Sequence, residues 1–208
     1  MLRAVFHLPA PFELSAGLAL LTDSSSLAGA IVGSADDQSL LRRIADRDRQ
    51  AMRELYDRYA DRLLRFAYPQ LHDRQEAEDV VQETMLAIWQ GAGTFRQASR
   101  PSTWVFGICR NKIGERLRRR RELQPLDGLP DLAAHGTPTA TVELWQQFRL
   151  LSPEHREVLL LVFHQGFSQE EVAEMLGVPV GTVKSRTFHA RRRLQALLEG
   201  GEQRERGL

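Results

Sequence analysis

Trp104, Asn111 and Arg118 recur every seven residues, which sets them on one side of a helix. An indole stacks on an unpaired base, a carboxamide bonds a base edge, and a guanidinium holds phosphate. The residues before them, Phe95–Pro101, form a loop that can take an extruded base. Base flipping costs a few kcal/mol, which stacking and hydrogen bonds offset. A lone tryptophan also packs against neighbouring helices. Asn111, Arg118 and Arg119 on the same face favour single-stranded or melting nucleic acid.

A second constellation occupies Ser168–Leu198. Ser168-Gln169-Glu170-Glu171 is a capping box, so a short helix begins there and ends near Gly177. Pro179 opens a longer basic helix. In that helix Val183, Thr187, Ala190, Leu194 and Leu197 repeat at inward spacing, so Lys184, Ser185, Phe188, His189 and Arg192 face outward. This is the pattern of a helix-turn-helix whose second helix enters the major groove. Polar groups beside an outward aromatic suit base edges and the thymine methyl, and the cations suit phosphate.

A third helix face, Asp79, Gln82, Glu83 and Leu86, sets an exposed leucine among carboxylates. It suits a basic protein surface with one apolar anchor. A plain solvated face explains the same pattern equally well.

Catalysis finds no support. The six histidines show no metal-ligand spacing, and His155 to His164 gives no H-E-x-x-H pattern. No glycine-rich phosphate loop or nucleophile elbow is present. No catalytic residue, metal or cofactor is expected.

The elements that must position these residues are helical; no sustained strand alternation occurs. Met52, Leu55, Tyr56, Tyr59, Leu63 and Phe66 form one stripe, and Ala77, Val80, Val81, Thr84, Met85 and Ile88 a second. Phe106, Cys109, Ile113 and Leu117 mark a helix over about 102–121. With a short helix near Ser39–Asp46 they make an all-α domain over 36–121. Residues 122–141, broken by Pro125, Gly128, Pro130, Gly136 and Pro138, read as a flexible linker. Over 142–199 the spacing predicts a second small helical domain. It comprises a helix over Val142–Leu151, one from Ser152-Pro153 to about His164, and the helix-turn-helix, whose last helix reaches about Glu199. Residues 200–208 read as a tail.

The formal net charge of the 208 residues is only +1, but the charge is sorted. Arg100–Arg121 carries eight basic residues against Glu115, Lys184–Arg193 carries five and no acid, and Asp73–Glu83 carries five acids against Arg74. Such sorting implies separate partners, phosphate for the basic segments and a basic protein for the acidic one. Cys109 is the only cysteine, which excludes an intrachain disulfide, fits a reducing cytoplasm and reads as a small buried side chain. The apolar run Ala16–Leu21 is too short to span a bilayer and lacks a signal-peptide layout, so residues 1–35 read as a poorly ordered extension and no membrane partner is expected.

Four stretches then stand in a telling order: Ala77-Glu78-Asp79-Val80-Val81-Gln82-Glu83-Thr84, Phe95-Arg96, Ser102-Thr103-Trp104, and Pro179-Val180-Gly181-Thr182-Val183-Lys184-Ser185-Arg186. Together they resemble the sigma-70 family of bacterial sigma factors, in its extracytoplasmic-function (ECF) subgroup, from about Asp36 to Leu198. The resemblance implies a promoter-specificity subunit of RNA polymerase that binds core polymerase and promoter DNA and is held by an anti-sigma factor. By resemblance, Asp79, Gln82, Glu83 and Leu86 grip the β′ coiled coil, with further contact to β. Phe95, Arg96, Gln97, Ala98, Ser99, Trp104, Asn111, Arg118 and Arg119 serve the −10 element, and Phe95–Ser99 captures the flipped base. Lys184, Ser185, Arg186, Phe188, His189 and Arg192 serve the −35 element. The chain departs from the family at Gln97, where glycine is common, at His189, where arginine is common, and at Gly107, where a long polar residue is usual. An operator-binding helix-turn-helix regulator is the rival reading. It needs neither the acidic helix nor the aromatic patch.

Overall fold

A computed structural model describes residues 34–96, 99–123 and 146–205, with side chains described over 36–96, 99–122 and 146–198. Every regular element among them is helical. Residues 1–33 of the expected extension, 124–141 of the linker, 142–145 of the expected helix over Val142–Leu151 and 206–208 of the tail lie outside the described residues.

The first domain is built from α1 (Ser34–Ala45), α2 (Arg49–Leu71), α3 (Arg74–Gly91) and α4 (Pro101–Leu123), with a 3-10 turn at Ala92–Thr94. Local chemistry sets the boundaries. Asp48 caps α2, its carboxylate accepting the Gln50 and Ala51 amides at 2.8 and 3.2 Å. Asp73 caps α3 through the Glu76 amide at 2.9 Å. Between them His72 takes a left-handed conformation (φ 56°) and returns its amide to the Tyr68 carbonyl, closing α2. These caps satisfy groups that a helix end leaves bare.

The two expected stripes become the core: Leu55, Tyr56, Tyr59, Leu63 and Phe66 on α2, and all six named residues of α3, are buried. The first helix begins at Ser34, not near Ser39, because Asp37 draws its first turn inward. That carboxylate is only 4% exposed. It accepts from the Tyr59 hydroxyl at 2.6 Å and is paired with Arg58. The position looks like one more surface acid until its partners on α2 are known.

In the second domain, a helical turn at 146–149 precedes α5 (Pro153–Leu159), a π-helical segment (Leu160–His164), α6 (Gln169–Leu176) and α7 (Val180–Glu205). Ser152 caps α5 through the His155 amide. The helix expected to run unbroken to His164 therefore widens after Leu159. Its Gln165 amide bonds the Leu160 carbonyl, and the Phe167 amide the Leu161 carbonyl. The wide turn and left-handed Gly166 (φ 75°) redirect the chain. α7 is longer than expected and takes in residues 200–205, read above as tail.

The two domains pack against each other, α6 on α4 and α5 on α2. Phe106 of α4 is the hub, fully buried among Tyr59, Phe66 and Phe167 with centroids 6.5, 5.5 and 4.9 Å away. Arg62 of α2 lies over the Tyr59 and Phe106 rings at 5.5 and 5.3 Å.

Candidate nucleic-acid and polymerase interfaces

The helix-turn-helix forms as its sequence dictates. Ser168 Oγ accepts the Glu171 amide at 3.2 Å, while the Glu171 carboxylate accepts the Ser168 amide at 2.8 Å. Gly177 ends α6 at φ 64°, a left-handed bend that an L side chain resists. Val183, Thr187, Ala190 and Leu194 are buried and Leu197 half-buried, which turns the opposite face of α7 to solvent. On that face Lys184, Ser185, Phe188, His189 and Arg192 are all exposed, and Arg186 is half-buried at its edge. Phe188 is 61% exposed, costly for an aromatic with nothing to cover it. Its ring stands edge-on to His189 at 5.4 Å. A shallow hollow of about 440 Å³ runs beside it, lined by Lys184, Thr187, Arg191, Arg192 and Gln169 of α6.

On α4, Asn111, Arg118 and Arg119 are exposed along one side. Trp104 is half-buried, not free. It leans on the core and on Phe95, with ring centroids 5.4 Å apart. Phe95 therefore props the tryptophan from the loop that the sequence read as a base pocket. Arg96 is exposed and Ser99 half-buried, while Gln97 and Ala98 lie outside the described residues. The basic run of α4 is divided. Arg118, Arg119 and Arg121 face solvent, whereas Arg120 turns inward to Glu76 and to the Leu71 carbonyl at 2.7 Å.

The acidic face of α3 differs from expectation in one respect. Gln82 and Leu86 are exposed, Leu86 by 45%. The carboxylates, however, are already partnered. Arg116 of α4 reaches Glu83 at 2.5 Å and Asp79 at 3.8 Å. With Arg120–Glu76 this makes a ladder between α3 and α4. The paired carboxylates hold Arg116 above its ordinary range, the Glu83 hydrogen bond first among the causes. Sequence spacing places Arg116 on α4 but says nothing of which helix lies opposite.

Cys109 is fully buried, and burial pushes its thiol up to about 12. The thiolate that redox chemistry needs is therefore suppressed. Among the described residues no helix is long and apolar enough to cross a membrane.

The chain matches the Sigma-70 region 2 family model over residues 55–122 and the Sigma-70 region 4 model over 148–196. It therefore belongs to the sigma-70 family of RNA polymerase sigma factors, in the ECF group to which its relatives are assigned by name. It is 34% identical over 157 residues to the ECF RNA polymerase sigma factor SigL of Mycobacterium tuberculosis, covering 71% of this chain and 89% of that protein. To SigM of the same organism it is 36% identical over 166 residues, covering 78% and 84%. Its fold resembles the solved complex of the sigma factor RpoE with the anti-sigma factor NepR from Bartonella quintana. That match has a TM-score of 0.59 at 29% identity and covers 71% of this chain and 96% of the matched one.

Proposed function

We propose that the chain selects promoters by two separate contacts with DNA while bound to core RNA polymerase. The observation that carries this reading is that one chain bears two surfaces of different chemistry, one on α7 and one on α4. The α7 face offers Lys184, Ser185, Phe188, His189 and Arg192 on the second helix of a capped helix-turn-helix, suited to duplex at the −35 element. Arg186 contributes charge at its edge. The α4 face offers a propped indole with Asn111, Arg118 and Arg119, suited to bases leaving the stack at the −10 element. Phe95, Arg96 and Ser99 precede that helix in the chain, and Gln97 and Ala98 between them are assigned to the same −10 role.

Leu86 and Gln82 give the polymerase an apolar anchor with a polar neighbour. Asp79 and Glu83 exchange or share Arg116 when a basic coiled coil of β′ approaches. Region 4 makes the contact with β. An anti-sigma factor holds the chain inactive, as NepR is found with the matched RpoE. The chain works in the cytoplasm, takes no cofactor and has no catalytic residue, the chemistry being the polymerase's.

Run-off transcription with core polymerase, followed by start-site mapping, tests the reading. Trp104→Ala removes a stacking platform worth about 1–3 kcal/mol, so open complexes should fall by roughly 5- to 150-fold with core binding unchanged. His189→Ala should shift the preferred sequence in a −35 library. Normal open complexes with Trp104→Ala would refute the melting role. Tight sequence-specific duplex binding without polymerase would refute the dependence on polymerase and favour an operator-binding regulator.

A further inference from the structure

At the end of α2 the seam between the two domains gathers positive charge. His72, the left-handed cap of α2, is half-buried there. Arg120 of α4 donates to the carbonyl of the preceding Leu71 at 2.7 Å, which sets its guanidinium beside the cap. The second domain brings Arg149 and Arg156, both half-buried, with Arg156 donating to the Arg149 carbonyl at 2.8 Å. These three guanidiniums are the charges that bear on His72, Arg156 first, then Arg149 and Arg120. No carboxylate is among them.

The acids nearby are committed elsewhere. Asp73 caps α3 through the Glu76 amide, and Glu76 itself takes Arg120. Glu78 pairs with Arg74. Glu154 is held at the start of α5 by its own amide and by Ser152. Its pull on Arg156 is outweighed by burial and then by Arg149, which together lower that guanidinium from its ordinary range. Among the described residues no acid forms an ion pair with Arg149 or Arg156, and the enclosed Nε of Arg156 has no hydrogen-bond partner. Two like charges are thus fixed together where water screens them poorly.

We propose that His72, Arg149 and Arg156 form a binding site for a small phosphate-bearing molecule. Arg149 and the outer nitrogens of Arg156 hold the phosphate oxygens, because a guanidinium fork matches a tetrahedral oxyanion in two parallel bonds. His72 donates a third bond once protonated. Arg120, already engaged by Glu76, adds positive field without a contact. Two guanidiniums and an imidazole together match a dianion better than a single carboxylate. The phosphates of a duplex fit less well, because the cluster is half-buried and Arg120 turns away from the exposed Arg118 and Arg119. The ligand joins groups of both domains, so its binding stabilises the folded chain.

The test titrates the full-length chain with inorganic phosphate, with ATP and with a short DNA duplex, each against sodium chloride of equal ionic strength. It reads the His72 imidazole resonance, assigned by its loss in His72→Asn, together with the heat of binding. A saturable shift with phosphate or ATP, and none with chloride or duplex, is expected. Arg149→Gln should weaken binding roughly tenfold or more with helical content unchanged, and Arg149→Lys should recover only part of it. Sulfate, a tetrahedral dianion whose charge is constant between pH 7 and pH 5, supplies the second readout. It should bind roughly tenfold or more tightly at pH 5, because the anion returns His72 from about 4 toward its ordinary value, and His72→Asn should flatten that gain. A response no greater than that to chloride overturns the site. A response to duplex alone overturns the small ligand. Unchanged affinity in Arg149→Gln overturns the part assigned to the guanidiniums, and sulfate binding indifferent to pH removes His72 from the site.

Discussion

Replacing glycine with alanine at three positions should give opposite signs for one chemical change. Gly107 and Gly114 lie inside α4 with ordinary helical backbone, and a Cβ built on either meets nothing within 4 Å. No packing is lost, so the helix gains by restricting the unfolded chain, about 0.5–1 kcal/mol per site. For a chain of this size each kcal/mol raises the melting temperature by roughly 2–4 °C. The two sites are two turns apart, about 10 Å, so the gains should add. Gly177 is the contrast: its Cβ also meets open space, but its φ of 64° costs an L residue about 1–2 kcal/mol. Gly177→Ala should therefore lower the melting temperature where the other two raise it. Circular dichroism at 222 nm during heating, with urea titration alongside, reads all three. Destabilisation by Gly107→Ala, or indifference to Gly177→Ala, would refute the reasoning. The same series carries a functional result. Gly107 lies between Trp104 and Asn111 on the helix face read as the −10 surface. A more stable Gly107→Ala protein that opens promoters poorly would show that the bare backbone is there to let nucleic acid approach closely.

Other outcomes follow from the caps and the seam. Ser168→Ala removes one half of the capping box and should cost about 1 kcal/mol, seen as a drop of roughly 2–4 °C in melting temperature. His72 is held down to about 4, first by burial and then by Arg156, Arg149 and Arg120. Its proton is therefore taken up by the unfolded chain before the folded one. Stability is full above about pH 6.5 and falls as the pH drops toward 4. His72→Asn keeps a residue that accepts the left-handed cap and should flatten the loss of melting temperature between pH 7 and pH 5. His164, lowered in the same sense, and Glu157, raised in the opposite one, are common to both proteins. An unchanged pH slope in His72→Asn would remove His72 from the account.

What could be read in advance divides along a physical line. Helices announce themselves because burial repeats at 3.6 residues, and caps because only a few side chains can satisfy bare amides. The stripe Ala77 to Ile88, the capping box at Ser168 and the exposed face from Lys184 to Arg192 are local patterns of this kind, and each stands where its spacing put it. Relations between elements leave no such trace. Asp37 reads as a surface acid until Tyr59 and Arg58 are brought to it from α2. Arg116 reads as one more phosphate-seeking cation until α3 lies across from it with Glu83 and Asp79. Trp104 shows the two kinds meeting in one residue: its side of the helix follows from spacing, whereas its support by Phe95 depends on how a loop folds back. Phe167 is the extreme case. Its neighbours look like the ragged end of a helix, and only the π turn at Leu160–His164 directs its ring onto Phe106. The packing between the two halves left no trace in the sequence for the same reason: Phe167 and Gln165 meet Phe106 and Arg62 only because the fold carries the turn after α5 against α2 and α4.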